Sequence, residues 1–188
     1  MKKVASLIKP YLALVLGALL FLYYLNWLSF QGEALGIGIA AVVIAAYYLC
    51  VGILGIVLGE KMPGGLKKTF DIISVAAFPT FMFVYYLLMV ILAHQAMGPT
   101  GWTIYLLAMG ASISLAIFYV ISRFVKSQVL TRIAGLFGAI FVLALISSVL
   151  FVVDGTATIL GELVIVQVLI YGLYGFLLFN SLSKEKGE

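Results

Sequence analysis

Residues 34–58 read ALGIGIAAVVIAAYYLCVGILGIVL, an apolar run flanked by Glu33 on one side and Glu60-Lys61 on the other. Crossing about 30 Å of hydrocarbon as a helix takes roughly 20 such residues. The run is long enough and carries no formal charge, so it reads as a membrane span. Five further stretches read the same way, at about 10–29, 72–93, 102–121, 133–153 and 158–182. The fold class expected is all-α: a polytopic integral membrane protein, one domain over 1–188, with six transmembrane helices arranged as three hairpins.

Composition supports that class. The chain is 65% hydrophobic and 10% charged, with a mean hydropathy of +1.25, whereas soluble domains are about half apolar and a quarter charged. No single soluble core of this length hides so much apolar surface. Scarce charge and high hydrophobicity exclude disorder. One cysteine, Cys50, leaves no internal disulfide or cysteine-based zinc site, and one histidine, His94, leaves no histidine cluster. No metal and no cofactor are expected.

The cations set the orientation. Lys2, Lys3 and Lys9 precede the first span; Lys61, Lys67 and Lys68 lie between spans two and three. Arg123, Lys126 and Arg132 separate spans four and five, and Lys184 and Lys186 follow the sixth. These are all 11 Lys and Arg residues, and six spans put every one on the same side. The positive-inside bias makes that side the cytoplasm, with both termini there, in a plasma (inner) membrane. Glu33, Asp154 and Glu162 fall on the other face. The first segment, basic at its start and long enough to span, reads as a retained helix rather than a cleaved leader. The net charge of +4 therefore points to anionic lipid headgroups, not nucleic acid.

Between the spans, Gln31-Gly32-Glu33, Met97 to Gly101 and Asp154-Gly155-Thr156 are tight outer turns, while 59–68 and 122–132 are longer basic loops. Gly17-Ala18 with Gly52 and Gly55 faintly matches Gly138-Ala139 with Gly172 and Gly175, a hint of hairpin repetition. In lipid, small residues four apart mark helix contacts. Gly36 and Ala40, Gly55 and Gly59, Ser112 and Ala116, and Ala134 and Gly138 fit that spacing, serving the bundle itself or docking another membrane protein or a second copy. Pro79 in span three removes a backbone donor and is expected to kink the helix.

Ionisable groups at membrane depth are costly and mark function. Glu162 is the most embedded carboxylate, with Gln167 five residues deeper; an outward-facing proton or cation site competes with a plain interfacial carboxylate there. Asp71, at the start of span three, is expected to cap that helix or complement its dipole. His94 ends the same span. The hydrocarbon centre is nearly free of charge, which argues against a proton pump or a cation channel. His94 falls on too early a span for a rhomboid-type serine protease, and metalloprotease, P-loop and aspartyl motifs are absent. An enzyme is not expected.

Paired tyrosines are the remaining lead. Tyr48, Tyr85 and Gln167, converging near Pro79, would line a neutral pocket for an uncharged organic solute, although hydrogen bonding between helices accounts for them as readily. Two readings follow. The first is a non-catalytic membrane-embedded subunit or accessory protein acting through helix contacts; the alternative is a small-solute binding or transport protein using that pocket.

Overall fold

In a computed structural model, residues 2–25, 33–93, 99–156 and 161–183 are described, with only the backbone given for Glu33, Asp154 and Glu162. His94, Lys184 and Lys186 lie outside them, as do residues 31–32 and 97–98 of the expected outer turns. The chain forms six helices: α1 (Lys2–Leu25), α2 (Glu33–Leu58), α3 (Gly64–Ala93), α4 (Pro99–Val125), α5 (Gln128–Thr156) and α6 (Gly161–Ser183). The described residues hold no strand. Five helices are long and apolar enough to cross a bilayer; α1 contributes a shorter apolar stretch, Lys9–Tyr23.

The helices run past the apolar stretches at both ends: residues 99–101 and 154–156, expected as parts of outer turns, belong to α4 and α5, and the extension at the basic ends is larger. Expected to start at 72, α3 starts at Gly64, where the Pro63 carbonyl accepts the first helical bond from Lys67 at 3.0 Å. The basic stretch 122–132, expected as a loop, is nearly all helix. Residues 126–127 suffice for the connection: Lys126 takes a left-handed backbone (φ 53°) and the Ser127 hydroxyl accepts a bond from the Leu130 amide at 3.4 Å. That is an N-cap. Hydropathy marks where the hydrocarbon ends, whereas a helix continues into the headgroup region until a cap or turn stops it. Asp71 consequently lies two turns inside α3 instead of capping it.

Contacts at one end of the bundle join helix starts to helix finishes. Pro10 of α1 meets Gly55 of α2, and Gly135 of α5 meets Leu182 of α6; Lys68 of α3 reaches Phe124 of α4. The α1–α2 pair packs backbone to backbone. A Cβ on Gly17 would lie 2.8 Å from the Leu49 nitrogen, and one on Gly52 would lie 2.8 Å from the Leu14 nitrogen. Only glycine permits that approach. The core between helices is aromatic: Phe78 lies 4.7 Å from Tyr174 and 6.3 Å from Phe141, ring centre to ring centre.

Candidate functional site

Pro79 is buried within α3, which continues as a helix from Gly64 to Ala93. A proline has no N–H, so the carbonyl four residues earlier, that of Val75, loses its helical donor. In hydrocarbon no water replaces it. Tyr174 of α6 does so instead, donating its hydroxyl to the Val75 oxygen at 2.7 Å. Tyr48 of α2 donates to the neighbouring Ser74 oxygen at 2.6 Å, and Tyr47 reaches the Phe70 oxygen at 3.4 Å. Two helices thus brace the proline segment of a third. Tyr48 and Tyr174 are both fully buried.

One turn before Val75 sits Asp71, the hub of an ionic cluster. Lys9 of α1 pairs with its Oδ1, and Arg123 of α4 lies 3.1 Å from its Oδ2. Tyr119 donates its hydroxyl to the same Oδ2 at 3.0 Å and accepts from Arg123 Nη2 at 2.8 Å. Arg123 also donates to the Ser181 carbonyl of α6 at 3.0 Å and lies over the Tyr119 ring, 4.8 Å from its centre. Two cations meet one carboxylate. The second positive charge is balanced by the closing carbonyls of α6, the negative end of that helix. Lys9, Asp71 and Arg123 are 16%, 25% and 15% exposed, dry enough that removing one partner would leave a costly unpaired charge.

Toward the other end, polar side chains also bond within the bundle. Gln167 donates to the Tyr23 hydroxyl. Ser148 gives its proton to the Leu145 carbonyl at 2.7 Å, so the 3.3 Å bond with Tyr86 is donated by the tyrosine. Tyr86 stands 5.5 Å from Tyr85 and 5.0 Å from Tyr105. Of the sequence candidates, Gln167 and Tyr85 thus fall in one cluster, joined through Tyr23, while Tyr48 stands apart from it. Tyr48 belongs to the brace at Ser74, Gln167 to Tyr23, and Tyr85 to the ring cluster; Glu162 is the second residue of α6, its side chain outside the described part.

Among the small residues, Ser112 and Ala134 are fully buried and Ala116 nearly so. Gly138 faces Leu178 and Leu115, which makes this the α4–α5–α6 seam. Gly55 sits on Pro10, while Gly59 has a positive φ of 48° and forms the turn after α2. Gly36 and Ala40 are exposed. They form one wall of a groove of about 790 Å³ whose floor is α3 and whose other flank includes Val120 of α4. Tyr85 and Thr80 are its polar residues, and the rest of the lining is apolar or glycine.

Sequence reasoning missed the Asp71 cluster. Lys9, Asp71 and Arg123 are scattered along the chain, and hydropathy does not say which helices are neighbours. The groove was equally invisible, although Gly36 and Ala40 were singled out for their spacing. No protein-family model, curated protein or solved structure matches this chain.

Proposed function

We propose that this chain is a non-catalytic integral membrane protein that crosses the plasma membrane six times, both termini and the basic connections cytoplasmic, and serves as a membrane-embedded subunit or accessory protein through helix contacts. One observation carries the reading: apart from the buried Ser181 hydroxyl, which has no partner among the described residues, the deep polar side chains named below bond groups of the protein itself, between helices or along their own. Tyr48 and Tyr174 serve the Pro79 segment, Ser112, Ser122 and Ser148 bond carbonyls of their own helices, and Asp71 is held by Lys9, Arg123 and Tyr119. Such an interior is a scaffold, so the work falls to the surface. At the basic end Lys61, Lys67, Lys126 and Arg132 are exposed, placed for anionic headgroups.

The test is purification from native membranes in a mild detergent. A partner recovered in fixed stoichiometry supports the reading, and a solitary monomer under several detergents contradicts it.

The ring cluster supports a second reading. Tyr23, Tyr85, Tyr86, Tyr105 and Gln167 gather hydroxyl, amide and aromatic groups toward one end of the bundle, which suits a neutral organic solute. A solute screen that shifts the melting temperature of the parent protein, and not of Gln167→Leu, supports it; no shift from any solute excludes it.

A further inference from the structure

We propose that the groove over α3 binds an anionic membrane phospholipid, its phosphate at Lys68 and one acyl chain laid along the floor. This goes beyond the accessory-subunit reading and stands on different residues.

The floor of the groove is two adjacent rows of α3 side chains, every fourth residue from Ile72 to Leu88 and every fourth from Ile73 to Tyr85. Residues four apart stack on one helix face, so each row is a continuous strip. From Ile72 to Leu88 the floor runs about 24 Å at 1.5 Å per residue, most of the roughly 30 Å depth of the hydrocarbon. It is a long, narrow, apolar trough. The hydroxyl of Thr80 is already bonded to the Ala76 carbonyl at 2.8 Å, and the other polar lining residue, Tyr85, lies near the end of the trough away from Lys68.

The first row, continued one turn toward the basic end, arrives at Lys68. The α4 flank does the same: one turn beyond Val120 is Phe124. These two next residues are in contact, with the Lys68 ammonium 5.6 Å from the centre of the Phe124 ring. Lysine lays its methylene stem on apolar surface and holds its charge at the water interface. The mouth of the trough is therefore marked by an exposed cation. Asp71, the nearest carboxylate along α3, does not cancel it, because both of its oxygens are engaged by Lys9, Arg123 and Tyr119.

An apolar trough ending at a cation matches an anionic amphiphile. A phospholipid fits it better than a transmembrane helix does. Close helix approach needs small residues repeated along both surfaces, and α2 supplies Gly36 and Ala40. On α3, however, Ala77 is followed in its row by the rings of Phe81 and Tyr85, and Ala76 by Thr80 and Val84. A flexible chain follows that uneven floor, whereas a rigid helix does not.

Detergent-purified full-length protein titrated with phosphatidylglycerol or phosphatidylcholine, with bound lipids counted by native mass spectrometry, tests this. The parent protein should retain phosphatidylglycerol in preference to phosphatidylcholine, and Lys68→Glu should lower that retention by at least about fivefold, the contribution of one juxtamembrane cation. Ala76→Phe, which blocks the trough, should lower retention of both lipids. Gly172→Leu, on α6, which lends the groove no residue, should change neither. Helical circular dichroism and the elution volume verify folding, and Lys68→Gln replaces the glutamate variant if that one misfolds. Equal retention of the two lipids by the parent protein, or unchanged retention in both the Lys68 and Ala76 variants, overturns the assignment. So does a cross-linker at position 76 that captures a protein helix in native membranes instead of lipid. A solitary monomer that still binds phosphatidylglycerol removes the accessory-subunit reading and leaves this one standing.

Discussion

The hydroxyl of Tyr174 on α6 donates to the carbonyl of Val75 on α3 at 2.7 Å, the group that Pro79 leaves without its helical donor. A defect in one helix is thus repaired by a side chain nearly a hundred residues away, and the repair ties α6 to α3 where neither has water to turn to. Removing the hydroxyl should expose the defect. Tyr174→Phe is expected to cost about 0.6–2 kcal/mol, the span for hydrogen bonds between membrane helices, measured by unfolding in mixed micelles. In a Pro79→Ala background the Val75 carbonyl regains an amide donor, and the same substitution should cost clearly less. A cost that is the same in both backgrounds would separate Tyr174 from the proline.

Asp71 should be the least replaceable charged residue. Asp71→Asn leaves Lys9 and Arg123 partly buried without their counter-ion, and removing one partner of a dry ion pair typically costs about 3–5 kcal/mol. Partial exposure of the cluster places the expectation at the low end, near about 3 kcal/mol. Replacing all three with apolar residues of similar size (Lys9→Met, Asp71→Leu, Arg123→Met) should recover much of the loss in unfolding measurements. A triple variant less stable than Asp71→Asn would show the cluster to be net stabilising.

The α1–α2 contact makes a sharp steric prediction. Gly52→Leu drives a side chain into the Leu14 backbone, where even a Cβ comes within 2.8 Å of the nitrogen. Overpacking of this kind costs about 1–3 kcal/mol or more, read as a drop in melting temperature. Gly172→Leu, at a position with nothing within 4 Å, should be within about 0.5 kcal/mol of the parent protein.

The helical class was legible because it rests on composition and run length, which are properties of the sequence itself. The ends of α3, α4 and α5 were not. Apolar runs report the hydrocarbon boundary, while Pro63, Lys126 and Ser127 decide where helices begin and end. Small-residue spacing identified positions without identifying their neighbours: Ala134 and Gly138 lie in the bundle, Gly36 and Ala40 on the groove wall, and Gly59 in a turn. The tyrosine pairs drew attention as a pocket. Convergence near Pro79 does describe Tyr48, whose partner is a backbone carbonyl, but Gln167 bonds Tyr23 and Tyr85 packs beside Tyr86. A side chain's partner in a helical membrane bundle is fixed by helix adjacency, and nothing local in the sequence encodes adjacency. Asp71 shows the same limit, since its partners come from α1 and α4.

The most direct test of the six-pass arrangement is cysteine labelling from each side of intact membranes. Cys50→Ala serves as the background, with single cysteines at Glu33, Lys67, Lys126 and Asp154. With all basic connections in the cytoplasm, positions 67 and 126 should react only with reagent supplied from the cytoplasmic side, and positions 33 and 154 only from the other. Labelling of 67 and 126 from opposite sides would contradict it.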